Sequence, residues 1–331
     1  MYTQRGKNSL RLHRPVRAHA TDTGSIKGGG HSPSGRHHRV ELAKKLVNTI
    51  RRRIDAVRHI ARHAAAHPDA DAIHESRVAT RRAREAVGVL TAGKFVKQSD
   101  AAVIVRLLRK LRRRGGELRD IDVFLKALPH NIKPGDGLEL SALTKQVQDR
   151  RAKVVRAFVK SAMAVASNRR IARCEQHLDR MDMSRLGDAL NDAVISRAMR
   201  NRKRLLRSIE LAVRQNDIRA MHQARIAGKR LRYMCEISDD AAVTKCGSLR
   251  TCLRRFQKIA GALHDADAAM ARLDDFDHSR SPAAHGHNAL IHRLKRSQRV
   301  RIPGLKSDAR TVARGLYKLV KSMECVFRRG K

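Results

Sequence analysis

Val40, Ala43, Val47, Ile50, Ile54, Val57 and Ile60 fall at three- and four-residue steps. That period lays one apolar face along a long helix. The pattern stops near His67-Pro68, and Asp69 or Asp71 stands where it can cap a second helix over 70–92, closed by Gly93. A third helix is predicted over 98–114, broken by Gly115-Gly116, with a short fourth over 117–128 before Pro129. Residues 129–137 (PHNIKPGDG) read as a linker. Further helices are predicted over 138–166, 168–180, 184–215, 218–237, 243–260 and 262–275. A loop over 276–287 and two terminal helices, 288–300 and 304–328, follow. No strand-like alternation occurs, so the fold class is all-α, drawn as two helical bundles related by an approximate two-fold.

The two-fold comes from a repeat. Residues 73–84 (IHESRVATRRAR) return as 221–232 (MHQARIAGKRLR), a shift of 148. The shift pairs His74 with His222, Arg77 with Arg225, Arg81 with Lys229 and Arg84 with Arg232. A second element follows in each half: 111–128 against 256–273 matches Gly116 to Gly261, Asp120 to Asp265 and Asp122 to Asp267.

An α-helix turns by about 100° per residue, so His74, Arg77, Arg81 and Arg84 share an arc of roughly 80°, from which Arg82 points away. His222, Arg225, Lys229 and Arg232 occupy the equivalent arc. Like charges so spaced repel by a few tenths of a kcal/mol per pair. One such stripe is ordinarily a solvated face; two, with His at the same place, call for an anion. Each His also lies near a helix N-terminus, where the dipole and free N–H groups favour negative charge. Bound phosphate would favour its protonation, so binding is expected to strengthen as pH falls. Arg109 with Arg113, and Arg254 with Lys258, share faces of the next helices and are read as walls of the same groove.

Charge enlarges this reading. The 331 residues carry 73 Lys and Arg against 31 Asp and Glu, a formal charge of +42 that needs a neutralising partner. Nucleic acid, a phosphate polymer and an anionic membrane surface qualify. Arginine outnumbers lysine, which favours bidentate phosphate contacts. Nine Phe and Tyr and no Trp argue against base stacking. Five scattered cysteines without a CxxC pair read as reduced thiols of a cytoplasmic protein. No apolar run spans a bilayer. Residues 1–37 read as a disordered basic leader, and 38–331 as one domain with halves at about 38–130 and 138–329.

Other chemistry is weaker. Asp120 with Asp122, and Asp265 with Asp267, have a spacing that can ligate Mg²⁺, but in so basic a setting they are expected to pair with arginines. His59, His63 and His67 are spaced for one helix face and read as solvated. No nucleophile elbow, P-loop or dinucleotide fingerprint occurs. No catalytic residue, metal or cofactor is assigned.

These residues carry a family resemblance. His74-x-x-Arg77 with Arg81-Arg82-x-Arg84, His222-x-x-Arg225 with Lys229-Arg230-x-Arg232, and Gly116-x-x-Arg119-Asp120-x-Asp122-Val123 resemble the CHAD family, the conserved-histidine α-helical domain. The likeness covers about 38–329 and departs at His264, which stands where the first half has Arg119. It implies two four-helix bundles with pseudo-two-fold symmetry, a basic central pore, and binding of inorganic polyphosphate without hydrolysis. It adds Arg119 to the expected ligand contacts. The acidic Glu-x-Glu-x-Lys signature of the triphosphate-tunnel domain that some relatives carry is absent, so a stand-alone member is expected. The leading expectation is therefore a non-catalytic polyphosphate-binding protein associated with polyphosphate granules. General nucleic-acid binding and metal-dependent polyphosphate processing are the alternatives. Nucleic acid would compete for the same charge, and a homodimer through the C-terminal helices is left open.

Overall fold

The computed structural model describes residues 33–128, 137–241, 243, 245–278 and 289–322. They form α1 (Pro33–Ala66), α2 (Ala70–Ala92), α3 (Gln98–Ala127), α4 (Gly137–Ala166), α5 (Arg169–Asp179), α6 (Met183–Gln215), α7 (Ile218–Asp240), α8 (Gly247–His278) and α9 (Ala289–Ser322). Among the described residues there is no strand, and no helix is long and apolar enough to cross a membrane.

The stripe helices begin where the sequence places them, because each has an aspartate cap. Asp69 accepts from the backbone N–H of Asp71 at 3.0 Å and Ala72 at 2.8 Å. Asp217 accepts from that of Ala220 at 3.1 Å. These carboxylates occupy helix N-terminal N–H groups that would otherwise be free to meet an anion.

Other boundaries differ. α1 starts at Pro33, inside the segment read as leader, with proline in the first turn where its missing N–H is harmless. Residues 1–32, most of the 129–137 linker and most of the 276–287 loop lie outside the described residues. α3 is continuous through Gly115-Gly116, and α8 through Gly261. The reason is packing. A Cβ on Gly115 would lie 3.0 Å from Cγ of Arg77 and 3.3 Å from Phe158, and one on Gly261 would lie 3.3 Å from Nη2 of Arg225. These glycines are close-approach sites for the two stripe arginines, not helix breaks. α9 likewise runs through Pro303, which sits inside the helix instead of ending it.

α1, α2, α3 and α4 pack on one another, as do α6, α7, α8 and α9. α4, read with the C-terminal half, packs on α1 and α3. α1 and α2 join the two groups through α6 and α7. One apolar cluster runs through both, including Ile50, Ile54, Leu90, Leu108 and Phe158 on one side and Leu205, Leu231, Leu253 and Phe256 on the other. Burying each such side chain contributes about 1.5–3 kcal/mol. The stripe faces of α2 and α7 are thereby held at the centre.

Polar ties fix the junction. Glu85 on α2 is buried and accepts from Nε of Arg197 at 3.0 Å, from Nη2 of Arg197 at 2.9 Å, and from the Asn201 amide at 2.9 Å, all on α6. Gly88 makes room: a Cβ there would lie 2.5 Å from the Arg197 guanidinium carbon. Arg53 on α1 donates to the Tyr233 carbonyl and to Asp240, both at 3.0 Å.

Candidate anion-binding site

A cavity of about 580 Å³ opens between α2, α3, α7 and α8. From the first stripe it takes His74, Arg77, Arg81 and Arg84, and from the second His222, Arg225 and Lys229. Arg113 and Arg119 on α3 also line it. Nine of the thirteen expected contact residues thus meet in one space. Arg109, Arg232, Arg254 and Lys258 do not line it. Arg109 is exposed beside it, and Arg254 and Lys258 are exposed on α8.

The lining also includes residues the stripe pattern missed: Arg112 on α3, Arg150 on α4, Arg230 on α7, and His264 and Arg272 on α8. Arg230 is the repeat partner of Arg82, which lies off the stripe arc. Arg82 does point away, pairing with Glu236 at 3.0 Å. The halves therefore differ. Arg232 lies over the Tyr233 ring at 4.8 Å, donates to its hydroxyl at 3.2 Å, and pairs with Glu236 at 3.5 Å. Arg84 has Gly88 four residues on, so no carboxylate draws it out, and it stays in the cavity. That i+4 difference was a readable signal.

Four carboxylates share the lining, Glu85, Glu117, Asp120 and Asp265, against ten arginines, so the cavity is strongly positive. Glu85 is already engaged by Arg197. Asp120 faces Arg272 at 4.0 Å, while Asp122 turns to Arg151 at 2.8 Å, so the two aspartates diverge. Among the described residues no group of three or more His, Cys, Asp or Glu side chains is placed to hold a metal ion. His59 pairs with Asp55, and His63 rests against His67, all three histidines exposed.

The cations are held in an unfavourable state. The Nε donors of Arg77, Arg84, Arg112 and Arg225 are buried with no hydrogen-bond partner among the described residues. Burial, then the like charge of Arg81, lowers Arg77 to about 10. Burial, then Arg230 and Arg112, does the same to Arg84. Burial, followed by Arg81, Arg225 and Arg77, pushes Lys229 down to about 5. His222 packs against His264 in a tilted pair with ring centroids 4.1 Å apart. Burial, then His264 and Arg225, lowers it to about 4. His264 is also lowered, by burial first. His74 is lowered for the same first reason but stands exposed at the edge. Asp120 and Asp265 offset part of this repulsion at Arg77 and Arg225, and Glu85 at Arg84, but buried cations with idle donors among so many like charges favour an external acceptor.

The described thiols are free at Cys174, Cys235, Cys246 and Cys252.

A CHAD domain family model matches residues 49–274, which contain both stripes and both glycine–aspartate elements. No curated protein matches the sequence. The crystal structure of the CHAD domain from the plant Ricinus communis is similar over 81% of this chain and 91% of that one, with a TM-score of 0.55 and 20% identity, a likeness of fold. With its family model matched over more than half its length, the chain belongs to the CHAD family.

Proposed function

We propose that the cavity binds linear inorganic polyphosphate without cleaving it. The observation that carries this reading is the set of buried, partnerless arginine Nε donors from α2, α3 and α7 converging on one cavity. Each phosphate of a linear chain offers oxygen acceptors at short intervals, and arginine engages them with charge-assisted bonds. Binding releases counterions, so affinity falls with salt. The scarcity of aromatics fits a ligand without bases. Granule association would follow from the same grip on long chains. Titration with polyphosphates of defined length at two salt concentrations tests the reading. Affinity is expected to rise with chain length, with little for orthophosphate. Equal affinity for duplex DNA at matched charge would overturn polyphosphate selectivity.

The depressed bases set a pH dependence. Lys229 near 5 and His222 near 4 are neutral at pH 7 in the free protein. A bound polyanion raises both, so binding takes up protons. For a base raised by ligand, the gain is complete below its free value and lost as pH rises through its bound value. Affinity is therefore expected to increase as pH falls from 8 toward 5. Calorimetry in buffers of different ionisation enthalpy should show net proton uptake at pH 7. The free fold has the opposite sense. The unfolded chain keeps Lys229 near its ordinary 10.5, so acidification draws protons to the unfolded state and lowers stability, down to about 5.

A further inference from the structure

α6 carries a third basic stripe that the repeat does not predict. Arg197, Arg200, Arg204 and Arg207 follow the same 3-4-3 spacing as His74, Arg77, Arg81 and Arg84. At about 100° per residue they share the same arc of roughly 80°. Shifted back by 148, these positions are Thr49, Arg52, Ala56 and His59, so the stripe belongs to one half alone. Between Ala193 and Ile209 the helix has no acidic residue. Arg200, Arg204 and Arg207 are exposed. No salt bridge joins them to a carboxylate among the described residues.

The stripe is anchored to the cavity at its first residue. Arg197 is held by Glu85, which itself lines the cavity. Arg230, also in the lining, lies close enough to Arg204, Arg197 and Arg109 to feel their charge. Arg84 in turn feels Arg230 and Arg109. Arg200 has Arg197 and Arg204 as its charged neighbours. The positive lining thus reaches the surface at Arg109 and Arg230 and continues along α6 for about 15 Å at 1.5 Å per residue.

We infer that the α6 stripe is a second anion-binding surface, which carries the part of a linear polyphosphate that extends out of the cavity. This rests on the cavity binding the same ligand. A chain short enough for the cavity never reaches α6. A longer one gains further contacts at high effective concentration, because its inner segment is already held. The stripe therefore acts on length selectivity alone.

The test replaces Arg200, Arg204 and Arg207 together with Gln. All three are exposed on a helix that Gln supports. Tripolyphosphate and long-chain polyphosphate are titrated against the full chain, with the Arg77→Ala/Arg225→Ala variant in parallel. The α6 variant is expected to bind tripolyphosphate within about 2-fold of the parent, to lose roughly 10- to 100-fold in affinity for the long chain, and to show a salt slope shallower by about 2. Parent-like binding of the long chain would overturn the stripe while leaving the cavity reading intact. Equal loss for both ligands would overturn it as a length-selective extension. Long-chain binding that depends on α6 but survives Arg77→Ala/Arg225→Ala would instead overturn the cavity as the primary site.

Discussion

The Arg77→Ala/Arg225→Ala variant is expected to lose polyphosphate affinity by at least 100-fold while its far-ultraviolet helical signal is unchanged. Both guanidiniums line the cavity, and both have a buried Nε with no partner among the described residues. A hydrogen bond to a charged group contributes about 1.5–3 kcal/mol, so two such contacts span roughly 10²- to 10⁴-fold. The salt slope should fall by about 1.4 for two lost contacts to a linear polyanion. The fold should tolerate the change. Neither arginine forms a salt bridge among the described residues, and at Arg77 the attraction of Asp120 is set against repulsion from Arg81, Arg119 and Arg225. Removal relieves desolvation and repulsion, partly offset by the loss of Arg77 stem packing against Gly115 and of the Arg225 guanidinium's packing against Gly261. Unchanged affinity with intact helicity would remove the cavity from consideration as the binding site.

Glu85→Ala is expected to act in the opposite sense, lowering stability by about 3 kcal/mol, because it strands a largely buried cation. Glu85 has a side chain only 3% exposed and accepts from Arg197 and Asn201 across the α2–α6 junction. Its loss leaves the Arg197 guanidinium, wedged beside Gly88, without its carboxylate. Glu85→Gln keeps an acceptor and should lose less. The urea midpoint measures both. Glu85 also lines the basic cavity, so its removal takes one repelling charge from the ligand's surroundings. Affinity for polyphosphate should hold or rise in the surviving folded protein, and saturating ligand should recover part of the midpoint. A parent-like midpoint for Glu85→Ala would show that the Arg197 charge finds relief in solvent.

The two stripes were the most legible part of the site. Helical spacing alone placed His74, Arg77, Arg81 and Arg84 on one arc, and repetition picked out His222, Arg225 and Lys229 as their partners. Arg112, Arg150, His264 and Arg272 were not legible as lining. They reach the cavity from other helices, and a single sequence does not give the angles at which those helices cross. Arg230 and Arg232 show the limit of copying one half onto the other: a carboxylate at Glu236 and a ring at Tyr233 draw Arg232 aside.

The sequence by itself determined the all-α class, the starts of α2 and α7, and the faces of both stripes. Each follows from local physics: a 3.6-residue period, an aspartate cap, a charge pattern on one arc. Only the tertiary structure decided that Gly115 and Gly261 lie inside helices, that α4 packs with α1 and α3, and which cations share a cavity. A glycine in a helical run breaks the helix or admits a neighbour, and its own sequence is the same in both cases. What settles the matter is whether another side chain occupies the space, as Arg77 and Arg225 do here.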